Sequence, residues 1–244
     1  MKLLIIANWK MNPQSLVGAR WLFNSIKKGV KNVRNVEVVI CPPFVYLQEM
    51  RDKKQTARVK LGGQDCFWEE KGAFTGEISP FQLKNLGCQY VIIGHSERRK
   101  YFSEPGTMIN KKIKAALAIK LKPIFCVGEN RGERRKGETK KIIRFQIRGG
   151  LKNISQKDLK NLILAYEPVW AIGSGNPCHP LQAKEVFSFL RRFLKRNPIL
   201  YGGSVNSQNA LSYIKAAGFQ GLLVGGASLD PKEFIKIVKN TARY

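Results

Sequence analysis

Three polar residues stand where short apolar runs end, and each is an uncommon choice for that place. Lys10 follows the run Leu3–Trp9, His95 comes one glycine after Gln89–Ile93, and Glu167 directly follows Leu162–Tyr166. A lysine there can snorkel to solvent, and a lone histidine is often a hydrogen-bonded structural residue. A carboxylate at the end of a buried run is costlier, because burying its charge is unfavourable unless the group is paired or used. Two later turns are glycine pairs, Tyr201-Gly202-Gly203-Ser204-Val205 and Leu223-Val224-Gly225-Gly226-Ala227-Ser228. Glycine permits close backbone approach, so such turns can converge their amide N–H groups on an oxyanion such as phosphate.

The elements that must position these residues are legible as eight apolar runs at intervals of about thirty residues, each followed by an amphipathic stretch. The predicted strands are Leu3–Trp9, Val36–Cys41, Arg58–Gln64, Gln89–Ile93, Pro123–Val127, Leu162–Tyr166, Ile199–Tyr201 and Gly221–Val224. Their near-continuous Val, Ile and Leu content suits parallel strands covered on both faces. Between them, Ile109, Ile113, Ala116, Leu117 and Lys120 follow helical spacing. Ser79-Pro80-Phe81-Gln82 and Asp230-Pro231-Lys232-Glu233 each read as a capped helix start, and a further start is expected near Ser207. No Pro/Gly/Ser-rich linker divides the 244 residues. The expectation is one domain over residues 1–244, an α/β closed eight-stranded parallel (β/α)8 barrel. An open doubly wound sheet is the alternative, but the first unit lacks a GxGxxG turn. In a barrel, chemistry belongs at the carboxyl ends of the strands and phosphate sites commonly follow strands seven and eight.

Bulk composition narrows the class. Apolar residues make up 43% of the chain, ordinary for a globular protein and too high for disorder. No secretion signal is legible after Lys2 and no run approaches the roughly 20 apolar residues of a membrane span, so a soluble cytoplasmic protein without membrane association is expected. The cysteines Cys41, Cys66, Cys88, Cys126 and Cys178 lie far apart with no CxxC pair, and they read as buried hydrophobes. With only His95 and His179 as histidines, no metal site is expected. The charge is unusual: 43 basic residues against 17 acidic ones, a net +26. Such an excess attracts phosphorylated metabolites and nucleic acids alike, while most of the cations read as solvated helix faces.

Taken together, the segments resemble triosephosphate isomerases. The resemblance rests on Asn8-Trp9-Lys10-Met11-Asn12, Gly72-Ala73-Phe74-Thr75-Gly76-Glu77, Gly94-His95-Ser96-Glu97-Arg98, Cys126-Val127-Gly128-Glu129, Ala165 to Gly173 and the two glycine turns, in family order over nearly the whole chain. It implies a TIM barrel that interconverts dihydroxyacetone phosphate and glyceraldehyde 3-phosphate through an enediolate, with no metal or cofactor, as a homodimer. By the same resemblance Glu167 is the base, neutral His95 donates to the substrate carbonyl oxygen, and Lys10 and Asn8 stabilise the enediolate. Gly173, Ser204, Gly225 and Gly226 would hold the phosphate, with Leu223 beside them and Ile172 covering the substrate under a lid of residues 168–175. Ser96, Glu97 and Cys126 would be near neighbours of the site, Glu129 would support the lid, and Thr75 would approach the site of the neighbouring subunit. The chain departs from the family at Ser174 and Asn176 in the lid and at Asp65, where asparagine is common. Gln220 replaces an often acidic residue, so the usual arginine pair is not expected, and the link from Phe193 to Pro198 is shorter than usual. Another phosphate-binding barrel would explain the glycine turns but not Lys10, His95 and Glu167 together. A nucleic-acid-binding protein would explain the charge, yet no RRM, KH or zinc signature is present. Weak nonspecific polyanion binding is the expectation that the charge leaves.

Overall fold

The computed structural model describes residues 2–51, 59–173 and 176–243. Its strands are β1 (Leu3–Asn8), β2 (Val36–Cys41), β3 (Val59–Gly63), β4 (Cys88–Ile93), β5 (Lys122–Val127), β6 (Ile163–Tyr166), β7 (Ile199–Tyr201) and β8 (Gly221–Val224). Each pairs in parallel with its sequence neighbours, and β8 closes on β1 through Leu4↔Gly221 to Ala7↔Val224. The closed barrel is therefore as expected, and every predicted strand lies within about a residue of its observed bounds. The predicted start of β3 at Arg58 lies outside the described residues.

The alternation within each strand divides the apolar residues into two cores. Leu4, Ile6, Val39, Cys41, Tyr90, Ile92, Ile124, Cys126, Ile163, Ala165, Leu200 and Leu223 fill the barrel interior. Their strand neighbours face the helices and form the larger outer layer, which includes Ile5, Ala7, Val91, Ile93 and Leu164. Successive strand residues point to opposite faces. The inward series Leu4, Ile6 thus delivers Asn8 to the barrel axis at its carboxyl end, and Ile163, Ala165 delivers Glu167. This period of two is hidden in the sequence, because both faces are apolar.

The helices follow their local signals with some differences. Ser79 caps the helix Pro80–Asn85 in a reciprocal box, Gln82 Oε1 accepting from the Ser79 amide at 2.8 Å. Asp230 caps Pro231–Ala242, but Glu233 does not reach back; it instead accepts from the Ser207 amide at 2.6 Å and from the Ser207 hydroxyl at 3.0 Å. The expected helix start at Ser207 is corrected to Ala210, since residues 207–209 form a turn held by Asn206. Helix Gly106–Ala118 buries Ile109, Ile113, Ala116 and Leu117 as predicted. Lys120 lies past its end at positive φ, and the lysine on the buried face is Lys112. The arginine pair not expected at Gln220 is present: Arg191 Nη2 donates to Gln220 Oε1 at 2.5 Å. The same guanidinium donates to the carbonyls of Leu194 and Asn197 at 3.0 and 2.8 Å, organising the short link before β7. An amide oxygen replaces the carboxylate as acceptor because the guanidinium requires a lone pair there rather than a charge.

Candidate active site

At the carboxyl ends of the strands a cavity of about 300 Å³ is lined by Asn8, Lys10, His95 and Glu167 on one side. Ile172, Gly173, Ser204, Leu223, Gly225 and Gly226 line the other. The cavity is at the small end of the range for ligand sites and suits a small metabolite.

Glu167 is fully enclosed but for the cavity. Its Oε2 accepts from the Ser96 amide at 2.9 Å, in the first turn of the helix Ser96–Tyr101. Its Oε1 lies 3.0 Å from His95 Nε2 yet has no donor aimed along a hydrogen-bond line, so this buried oxygen is unpartnered among the described residues. Burial opposes its charge, and the adjacent His95, the Ser96 amide and the Cys126 thiol outweigh that, holding the carboxyl below its ordinary pKa. Glu167 is therefore ionised at neutral pH, with one oxygen fixed and the other open to a proton. Gly128 allows this packing, since a Cβ there would fall 1.7 Å from the Glu167 carbonyl oxygen.

His95 caps the helix Ser96–Tyr101, its Nδ1 accepting from the Glu97 amide at 3.2 Å. An accepting Nδ1 carries no proton, which places the proton of a neutral ring on Nε2, facing the cavity. Burial is the largest influence and opposes charge, but the Glu167 carboxylate pulls the other way and the net shift is upward. That pull acts only while Glu167 rests against Nε2.

Lys10 adopts φ 54°, a left-handed conformation that non-glycine residues seldom take. Gln64 holds it there, donating from Nε2 to the Lys10 carbonyl at 2.8 Å and to that of Cys41 at 2.9 Å. The ammonium reaches Glu97 Oε1 at 2.5 Å, and Asn8 Oδ1 accepts from the Lys10 amide at 3.1 Å. A Cβ on Gly225 would sit 3.4 Å from Lys10 Cε, so the second glycine turn lies against the lysine. Among the described residues the amides of Ser204 and Gly225 donate to no protein acceptor. A short 3-10 helix, Gly226–Leu229, follows at once and adds the free amides of its first turn.

The structure thus brings together Asn8, Lys10, His95, Glu167, Ile172, Gly173, Ser204, Leu223, Gly225 and Gly226, with Ser96, Glu97 and Cys126 touching them. Glu129 is buried and accepts from Trp170 Nε1 at 2.9 Å and from the Tyr166 hydroxyl at 3.1 Å, tying down the segment that follows Glu167. The predicted lid residues Ser174 and Gly175 lie outside the described residues. Thr75 does not line the cavity of its own chain; it sits exposed on the segment after β3. Gln64 and Arg99 escaped the sequence reading. Arg99 donates to the Gly94 carbonyl at 2.8 Å and the Cys126 carbonyl at 3.1 Å, binding the His95 turn to β5. Neither residue carries a local signal, since each also binds a carbonyl from another strand, Cys41 of β2 for Gln64 and Cys126 of β5 for Arg99.

Comparison with known proteins identifies the family. A family model described as triosephosphate isomerase covers residues 3–241. The chain belongs to the triosephosphate isomerase family. It is 47% identical to the triosephosphate isomerase of Aquifex aeolicus, over 98% of this chain and 99% of that one. It is 44% identical to the protein of that name from Dictyoglomus turgidum, over 97% and 98%. The triosephosphate isomerase of Dictyoglomus thermophilum is 45% identical over the same shares.

Proposed function

We propose that this chain is a triosephosphate isomerase whose base is Glu167, interconverting dihydroxyacetone phosphate and D-glyceraldehyde 3-phosphate. The observation that carries the assignment of roles is the buried, ionised carboxylate with one oxygen fixed by the Ser96 amide and the other unpartnered at the cavity, beside a histidine proton on Nε2. A triose phosphate entering the cavity places its carbonyl oxygen toward His95 Nε2 and Lys10 Nζ, displacing Glu167 from the ring. The carboxylate then takes a proton from the adjacent carbon, leaving an enediolate whose negative oxygen is stabilised by the His95 N–H and the Lys10 ammonium. His95 Nε2 gives its proton to that oxygen and takes back the proton of the adjacent hydroxyl, and Glu167 returns its own proton to the neighbouring carbon; the isomer forms with every proton accounted for among substrate, His95 and Glu167. With Glu167 no longer against it, burial keeps His95 neutral, as the handover of a hydrogen bond requires; this family is a known case of such a neutral histidine. Gly173, Ser204, Gly225 and Gly226 hold the phosphate, and Ile172 covers the reacting carbons. Closure of that cover excludes water and strengthens the contacts to developing charge.

The reading extends to a cytoplasmic homodimer. Among the described residues no helix is long and apolar enough to cross a membrane. The segment after β3 exposes an aromatic cluster, Phe67 stacked on Trp68 at 3.9 Å and against Phe74 at 4.7 Å, a surface that favours a partner. Thr75 at its tip would then approach the partner's site. A coupled assay on the purified chain tests the activity, and a chain that leaves dihydroxyacetone phosphate unchanged overturns it. Light scattering that gives a fully active 27.6 kDa species at micromolar concentration overturns the dimer.

A further inference from the structure

A second concave region, about 480 Å³, lies on the helical wall of the barrel between Thr139–Gly150, which follows β5, and Pro180–Leu190, which follows β6. Lys140 and Arg144 face it from the first helix, one turn apart. Lys184 and Arg192 face it from the second helix and its continuation, two turns apart. All four are exposed, and none lies within ion-pair distance of a carboxylate among the described residues. Glu185 is the one carboxylate in the lining. Facing cations repel, and a concave setting focuses their field, so the groove is poised for a multiply charged anion.

The groove is not purely ionic. Phe189 forms a buried floor, the Arg144 guanidinium lies 5.7 Å from its ring centre, and Leu181 is a wall left 60% exposed. Arginine forks recognise phosphate through paired N–H groups and also stack on flat rings. We propose that this groove binds a nucleoside polyphosphate, its phosphates between Lys140, Lys184 and Arg192 and its base against Arg144 and Leu181. Inorganic phosphate would leave the apolar wall unused, and a groove of about 480 Å³ has room for a nucleotide. The site is separate from the catalytic cavity at the strand ends. It also leaves free the aromatic segment after β3, which lies two to three strands away around the barrel.

The test is calorimetric titration of the full chain with ATP, inorganic phosphate and a dT12 oligonucleotide at about 0.15 M ionic strength, where the Debye length is about 8 Å. One ATP per chain is expected, held more tightly than either other probe. The pair Arg144→Glu with Lys184→Glu should weaken it about tenfold or more while isomerase activity is unchanged. The pair Lys27→Glu with Lys28→Glu, exposed on helix Leu16–Gly29, makes the same change in net charge and should weaken it less than about twofold. Equal losses in the two pairs would assign the binding to the general field and overturn the site. Phosphate binding as tightly as ATP, dT12 binding more tightly and lost with the groove pair, or no ATP binding at about millimolar concentration would each overturn the nucleotide.

Discussion

Two charge clusters, each built around buried carboxylates, face opposite demands. The first is the cavity group, with Glu167 against His95 at 3.0 Å and Lys10 on Glu97 at 2.5 Å. The second packs Asp65 and Glu104 between Lys112 and Arg98 beneath the segment after β3. Lys112 Nζ lies 2.7 Å from Asp65 Oδ2 and 2.5 Å from Glu104 Oε1, and Arg98 Nε lies 2.8 and 2.5 Å from the same two oxygens. Among the described residues each cluster leaves carboxylate oxygens with no well-aligned donor: Glu167 Oε1 in the first, Asp65 Oδ1 and Glu104 Oε2 in the second. In the first the bare oxygen borders the cavity at the strand ends. In the second the carboxylates line none of the cavities described above, and the consequence falls on protonation instead. Burial, with Glu104 adding to it, pushes the Asp65 carboxyl up to about 6 against the pull of Lys112 and Arg98. An unsatisfied buried charge is thus a reactive group where a substrate can reach it and a stability cost where nothing can.

Substitutions that separate catalysis from stability sharpen the comparison. The largest effect is expected for Glu167→Gln, which keeps shape but cannot accept the proton. Turnover should fall by about 10²-fold or more while the thermal transition is unchanged or higher, and a variant keeping half the activity would rule out Glu167 as the base. Lys112→Met should do the reverse, removing one cation from between two buried carboxylates. A loss of about 3 kcal/mol in denaturant unfolding at pH 8 is expected, with turnover per folded molecule unchanged. An unchanged midpoint would show that the second cluster contributes nothing net.

Asp65→Asn should have a smaller effect of opposite sign. A carboxyl whose folded pKa is raised binds more protons folded than unfolded, so its contribution falls as pH rises from about 4 to 6 and is unfavourable above that window. Asparagine removes the charge but keeps an acceptor, so it should stabilise by about 1 kcal/mol at pH 8, a rise of about 2–4 °C in melting temperature. The gain should vanish near pH 5, where Asp65 is protonated. A gain that is the same at both pH values would place the cause outside this titration. The smallest effect is expected for Glu129→Gln, which keeps acceptors for Trp170 and Tyr166 but loses the charge near Arg134, 3.6 Å away. A severalfold change in turnover or less is expected, and loss equal to that of Glu167→Gln would promote Glu129 to a direct role.

The strands were legible because a parallel strand covered on both faces requires an uninterrupted apolar run, and eight such runs with helical spacers leave few architectures. Lys10, His95 and Glu167 stood out for a related reason, since they interrupt that rule at the strand ends, but only the family resemblance joined them into one site. The errors fall where the decisive partner is remote. Ser207 resembles a helix cap but serves Glu233 as a donor, so the helix waits until Ala210. Gln220 lacks the charge that predicts an arginine partner, yet its oxygen is placed to accept from Arg191.

Sequence alone determined the order of elements, the capped helix starts at Ser79 and Asp230, and the residue types available at each strand end, because these depend on neighbours a few positions away. Only closure of the barrel decided which face of each strand turned inward, and so which polar residues met. Asn8 and Glu167 belong to the interior because they continue the inward series of β1 and β6, and no local pattern distinguishes that series when both faces are apolar. Asp65, Arg98, Glu104 and Lys112 became one cluster for the same reason: the turn after β3 and the two helices after β4 pack together, and desolvation of their charges exists only once they do.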